Sequence, residues 1–361
     1  MDAPLRIAVN ARALEQDRAP LIRLTAAHLV DLLATEANLH LEFFATEPVS
    51  GSLSGGSPVH VVSPSGVHFW EISWDQLAFP RAARRTHAQL LLYLHPSAAI
   101  TGSAPSDSWY GDGQVGAKKG EQPSRLARSM ARAGLRGAVA VLRPDDLPAD
   151  PINFRWVAVP PSVPLAFFGG AETAGSPMPW DLPESFVLAV CESTAALPML
   201  LAAWTWVESS LGDTYMLLLV AADDGERLAT QRAVEQRGLA ASVRTVVLAD
   251  AAFPTVFHRA AVLLHGGERQ NAAALRWSLA GGLPVVAPAT AVSEAIVGPA
   301  GYLVSPEARA LGAACLTLLV EEGIAGSLRE KCRTRARAYR PEAAGRAWAE
   351  ALRQAATGRV R

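Results

Sequence analysis

The side chains of this 361-residue chain that are equipped for proton transfer or anion binding are few and far apart. His95 closes an apolar run, Leu90 to Leu94, and an imidazole at a strand end is placed for acid/base work or for touching a ligand, although a lone His there also reads as structural. His265 and Glu268 follow a second such run, Val262 to Leu264, where a solvated loop end is the simpler alternative to a polar contact site. Glu294 opens a helical stretch after Ser293, which suits a ligand contact and a first-turn residue equally. Gly281 and Gly282 stand between a helix and an apolar strand, where a backbone without Cβ admits a phosphate or a base, or simply stops the helix. Arg259, Arg269 and Arg276 offer cations for an anion, or a solvated helix face. The pairs Asp145-Asp146 and Asp223-Asp224 each follow a strand and read as loop punctuation or helix N-caps.

Several chemistries lack their minimal residues. There is no G-x-G-x-x-G after the first strand, no Walker A sequence, no H-E-x-x-H and no G-x-S-x-G. Cys191, Cys315 and Cys332 are odd in number and widely separated, so neither a disulfide framework nor a zinc site is expected. No metal and no cofactor is predicted, and a reducing, cytoplasmic compartment fits best. With 33 basic and 34 acidic residues the net charge is −1, without the basic excess a nucleic-acid surface carries. The longest apolar runs fall short of the ~20 residues of a spanning helix, and the opening MDAPLRIAVNARAL lacks the apolar stretch of a signal peptide. No transmembrane segment is expected, while a peripheral membrane contact stays open.

The elements that must position these residues alternate. Strands are predicted at Leu5–Val9, Leu39–Phe44, Val59–Val62, Leu90–Leu94, Val139–Leu142 and Trp156–Val159, with helices at Leu21–Leu33, Trp74–Arg85 and Arg125–Leu135. Residues 101–124 are rich in Gly, Ser and Pro and read as a long mobile loop. Residues 169–183 have linker composition, and a second alternating series follows from Phe186. Three helices, Arg309–Glu322, Gly326–Tyr339 and Pro341–Ala356, end the chain. The expected fold is α/β: two Rossmann-like domains with parallel sheets facing a central cleft, one at 1–168 and one at 184–340, with the helix at 341–357 packing back on the first.

Four stretches then resemble one family: RIAVNARAL at 6–14, WEISWDQLAFPRAARRTHAQLLLYLHPS at 70–97, WVAVPPSVPLAFF at 156–168 and, most closely, LAGGLPVVAPATAVSEAIVGPAGYLVSPE at 279–307. Their order and spacing are similar to those of the retaining GT-B glycosyltransferases of family 4. The resemblance implies an acceptor-side domain followed by a donor-side domain, a nucleotide sugar as donor, and a glycan or lipid acceptor. It also implies residues that this chain lacks. Where the family has two acidic residues before its PVV segment, Arg269 and Trp277 stand; sliding the register by one recruits Glu268 but places Arg276 at the second position. Where the family has Lys and Asn after the first strand of the second domain, Ala195 and Ala196 stand. The family's His-Asp pair after the 90–97 strand has no equivalent in the sequence, and the candidate catalytic residues are Glu268 and His95. Glu294 matches the Glu of the family's "lpE", and Gly281, Gly282 and His265 are the other candidate donor contacts. A retaining hexosyltransferase without its acidic pair, its cations and its histidine has lost donor binding and leaving-group stabilisation together. The expectation is a glycosyltransferase-like protein silent in the usual mode, binding a glycan, a nucleotide sugar or an active glycosyltransferase partner; the alternative is transfer through a non-standard donor site.

Overall fold

A computed structural model describes residues 4–15, 19–47, 49, 59–62, 74–95, 106–109, 125–147, 155–169, 184–191, 195–267 and 272–357. The chain divides into two compact units, Met1–Ser162 together with Pro341–Arg361, and Val163–Arg340.

The first unit is built on a parallel sheet of β1 (Leu5–Asn10), β2 (Leu39–Ala45), β3 (Val59–Val61), β4 (Leu90–Tyr93), β5 (Ser106–Trp109), β6 (Ala140–Pro144) and β7 (Trp156–Val159), in the order β3-β2-β1-β4-β5-β6-β7. The strand order reverses between β1 and β4, the place where an open parallel sheet leaves a crevice beyond its strand ends. Continuous apolar runs form the inner strands because both faces are covered by helices; every residue of β4 is buried. Helix α1 (Pro20–Ala34) covers one face, with Leu29, Val30 and Leu33 in the core. The last helix of the chain, α11 (Pro341–Ala356), packs beside it through Ala344, Trp348, Leu352 and Ala355. The Trp348 indole N–H donates to the Pro160 carbonyl at 3.1 Å, satisfying the one polar atom of that side chain.

Two stretches depart from the sequence expectation. Within the predicted loop 101–124, Ser106–Trp109 forms β5 and pairs in parallel with β4 on one side and β6 on the other. Ser-Asp-Ser carries no hydrophobic signature; backbone pairing on both sides holds it in the sheet. The helix predicted at Trp74–Arg85 begins instead as a π-helical turn, Trp74–Ala78, which becomes α2 (Phe79–Arg84). Pro80 has no N–H to give to the Gln76 carbonyl, so the first turn widens. That widening matters for the site below, because it carries Trp74 and Asp75.

The second unit repeats the plan. Its sheet comprises β8 (Phe186–Cys191), β9 (Met216–Ala221), β10 (Val243–Val247), β11 (Val262–Leu264), β12 (Val285–Pro288) and β13 (Tyr302–Val304), all parallel, in the order β10-β9-β8-β11-β12-β13. The reversal falls between β8 and β11. Helices α4 (Leu197–Leu211), α5 (Asp224–Gln236), α6 (Phe253–Arg259), α7 (Ala272–Gly281) and α8 (Ala291–Ile296) connect the strands, after α3 (Arg125–Gly137) of the first unit. The Asp223 side chain caps α5 by accepting from the Glu226 N–H at 2.8 Å. Helix α9 (Ala308–Val320) ends at Glu321, and α10 (Glu322–Ala336) begins there rather than at Gly326. Val163–Phe168 belong to this unit, with Phe167 buried in its aromatic core. Among the described residues no single helix is long and apolar enough to cross a membrane.

Candidate functional site

The two sheets present their ligand-side strand ends very differently. In the first unit β1 ends on Asn10, and the chain then turns through Ala11–Leu14. The Asn10 amide donates to Asp75 Oδ1 at 2.9 Å, and its carbonyl oxygen accepts from the Trp74 indole at 3.2 Å. His95, just beyond β4, places Nε2 3.1 Å from Asp75 Oδ2. The Tyr93 hydroxyl donates to the Asp75 backbone carbonyl at 2.9 Å, fixing the turn that carries the carboxylate. Arg12 lies between two carboxylates, with Nη1 4.0 Å from Asp75 Oδ1 and Nε 3.9 Å from Glu15 Oε2. Glu15 Oε1 in turn accepts from both the N–H and the hydroxyl of Thr46 at 2.7 Å.

Asn10, Arg12, Glu15, Asp75 and His95 are all buried. Trp74, Phe79 and Tyr93 pack on one another beside this cluster, with Phe79 edge-on to Tyr93 at 5.2 Å between centroids. Water is largely excluded, so each interaction is stronger than at a surface, and removal of any member leaves a buried polar group behind. A carboxylate only accepts, so His95 donates to Asp75 through Nε2–H, which fixes the neutral ring's tautomer with Nδ1 as acceptor. A carboxylate that orients an imidazole at the end of a parallel strand is the arrangement general acid/base chemistry requires.

The sequence reading found His95 but not its partner. Asp75 is 65 residues from Asn10 and 20 from His95, and no local motif links them. The only local signal was the polar pair Asp75 and Gln76 directly after Trp74.

A second histidine in this unit is structural. His28 on α1 bonds the Ser162 hydroxyl at 2.8 Å, and burial lowers its pKa from 6.5 to about 4.

In the second unit the predicted positions are mostly built into the core. Trp277 is fully buried on α7, stacked on Phe167 at 4.7 Å and edge-on to Phe257 at 5.8 Å and Phe253 at 5.9 Å. Arg276 beside it is buried as well. Ala196, the buried residue before α4, meets the loop after β11 so closely that a Cβ on Gly266 would lie 2.4 Å from the Ala196 Cβ. Ala195 is exposed. His265 is buried, and its Nδ1 accepts from the Gly267 N–H at 2.9 Å. Gly267 has φ +83° and faces the Pro288 ring, so this turn needs a residue without Cβ.

Gly281 and Gly282 end α7. Gly282 takes φ +67°, its N–H bonds the Leu279 carbonyl at 3.1 Å, and the Leu283 N–H bonds the Ser278 carbonyl at 2.8 Å. These two bonds close the helix as a Schellman turn and account for both glycines as a helix stop. Glu294 is exposed in the first turn of α8, where Thr290 and Ser293 form a reciprocal capping box that serves the Ser293 N–H and the Thr290 N–H. Glu268 and Arg269 lie outside the described residues. Cys315 and Cys332 are pushed up to about 12 by burial, which keeps both as unreactive thiols.

No family model and no curated protein sequence matches this chain. Solved structures do. The chain is similar to a sucrose-phosphate synthase from Thermosynechococcus elongatus, with TM-score 0.73, 17% identity, and 97% of this chain and 98% of that chain covered. It is similar to WaaG, a glycosyltransferase involved in lipopolysaccharide biosynthesis, with TM-score 0.69, 11% identity, and 96% and 99% covered. It is also similar to Anabaena HepE in complex with UDP-glucose, with TM-score 0.69, 13% identity, and 97% and 100% covered. These likenesses run over nearly the whole of this chain and of each neighbour, and the chain has the GT-B fold of the glycosyltransferases.

Proposed function

We propose that this GT-B protein is a binding or partner subunit in glycan synthesis and does not transfer sugar by the usual donor-site mechanism. The observation that carries the reading is Trp277. At the position where the resemblance expects a carboxylate on the ribose, an indole is stacked in the core and has only a donor to offer. Ala196, packed against the Gly266 backbone, supports it, because the start of α4 brings no polar side chain toward a diphosphate at that position.

Titration calorimetry of the whole protein against UDP-glucose and UDP, then GDP- and ADP-sugars, tests this. The expectation is no donor binding at micromolar concentration and no hydrolysis. Micromolar binding with turnover overturns it.

A second reading, transfer of a hexose from a nucleotide sugar to a glycan or lipid acceptor, is favoured by one feature, the His95–Asp75 pair. If turnover appears and His95→Gln abolishes it without changing donor affinity, the second reading replaces the first.

A further inference from the structure

From the outer face of α9 we infer that this chain pairs with a second copy of itself, α9 against α9 in antiparallel orientation. The inference does not depend on the function proposed above. Helix α9 is apolar on every side. Leu311, Cys315 and Leu318 are buried in the core of the second unit. On the opposite side Ala313, Leu316 and Val320 recur at three- and four-residue spacing, the seam of a helix that packs on another helix. Val320 is 59% exposed. No side chain from Ala310 to Val320 carries a charge, and the hydroxyl in that span, Thr317, bonds its own helix at the Ala313 carbonyl. A helix apolar all round is expected to be covered all round.

The neighbouring helix widens the face. Gly312 lets α4 approach α9 so closely that a Cβ there would lie 2.6 Å from the Ala203 carbonyl oxygen and 2.8 Å from the Trp206 Cβ. Trp206 thereby lies alongside the seam, 49% exposed, with the Arg309 guanidinium over its ring at 5.4 Å. The exposed hydroxyls of α4, Ser209 and Ser210, also turn back onto carbonyls of their own helix.

The charges at the two ends say what covers it. Arg309, four residues before Ala313, sits on the seam side in the first turn of α9 and Glu321 just past its last, while the N-cap Glu307 lies two residues, more than half a turn, away from Arg309. Among the described residues neither Arg309 nor Glu321 is in an ion pair, whereas the adjacent Glu322 is paired with Arg329. The twelve-residue step from one to the other spans about 18 Å of helix. A face positive at one end and negative at the other is complementary to itself reversed. In an antiparallel pair each Arg309 therefore meets the partner's Glu321, twice over, as a two-fold axis requires. The acidic end, Glu321 and Glu322, argues against an anionic lipid surface as the occupant.

The test is sedimentation velocity of the full chain over a concentration series. A reversible dimer is expected, weakened about tenfold or more by Arg309→Glu and by Glu321→Arg separately, and restored to near the original affinity when both are exchanged in one chain. Leu316→Glu with Val320→Glu gives a monomer whose thermal unfolding is otherwise retained. A wild-type monomer at every concentration overturns the inference. So does a dimer that ignores these substitutions, or a doubly exchanged chain that stays monomeric.

Discussion

The two units share one plan, a parallel sheet with its strand order reversed next to the first strand, and they use the reversal point in opposite ways. Beyond β1 and β4 stand Asn10, Arg12, Asp75 and His95, bonded into a buried polar cluster. At the end of β8 and beyond β11 stand Cys191, a buried Ala196 and a glycine turn, with Trp277 behind them in an aromatic core. One strand end holds charge in a fixed arrangement; the other has been closed by close packing. The fold tolerates both because its stability rests on apolar strands and helix faces, while the strand ends are open to whatever chemistry the loops bring.

The largest expected effect breaks the polar side of that comparison. Asp75→Ala leaves Arg12, Asn10 and His95 buried without their shared carboxylate, and is expected to cost about 3–5 kcal/mol. Urea unfolding followed by a signal from the first unit measures it. Asp75→Asn keeps the size and one acceptor and should cost clearly less. Equal losses for the two variants would mean that volume rather than charge holds the cluster.

The matching change on the other side is Trp277→Ala, expected to cost about 3–5 kcal/mol by the cavity it opens among Phe167, Phe253 and Phe257. Trp277→Glu sharpens the contrast. If the residue were a displaced ligand contact, the carboxylate would restore nucleotide affinity. As a core residue, it should instead destabilise the second unit and bring no UDP binding, read by denaturation and calorimetry on the same protein.

How much of this was legible in the sequence differs between the halves of the argument. Strands such as β4, β8 and β9 are continuous apolar runs because both faces are buried, and such runs mark themselves. Strand β5 did not, since Ser-Asp-Ser has nothing to alternate, and β13 is too short to show a period. The site was legible only as single residues. His95 could be named from its strand, but a carboxylate brought to it by a widened helical turn could not. For Trp277 the sequence showed which residue was missing; its three aromatic partners at 167, 253 and 257 gave the reason only in three dimensions.

A smaller effect separates the buried histidines. His28 titrates near 4 when folded and near 6.5 when unfolded, so between those values the unfolded chain binds a proton that the folded chain refuses. Stability contributed by the neutral ring is complete above pH 6.5 and is lost as pH falls toward 4, by about 3 kcal/mol. His28→Gln should flatten that part of the stability profile of the first unit and leave the second unit's profile unchanged. If the slope persists in the variant, another group carries it.

The smallest effect lies at Gly282, where the two readings of a glycine pair part company. A phosphate-admitting glycine would tolerate a Cβ in the absence of ligand and show its loss only in binding. The structure gives Gly282 a left-handed φ of +67°, and a Cβ there would come within 2.9 Å of the Arg333 Nε. Arg333 is a long surface side chain that can swing aside, so the backbone conformation dominates and Gly282→Ala is expected to cost about 1 kcal/mol. Gly281→Ala meets only ordinary contacts, the nearest being His258 Nδ1 at 3.5 Å, and at the end of a helix it should be neutral or slightly stabilising. Melting the two variants side by side therefore distinguishes a helix stop, where one glycine is needed and the other is not, from a ligand cradle, where both would be silent in the free protein.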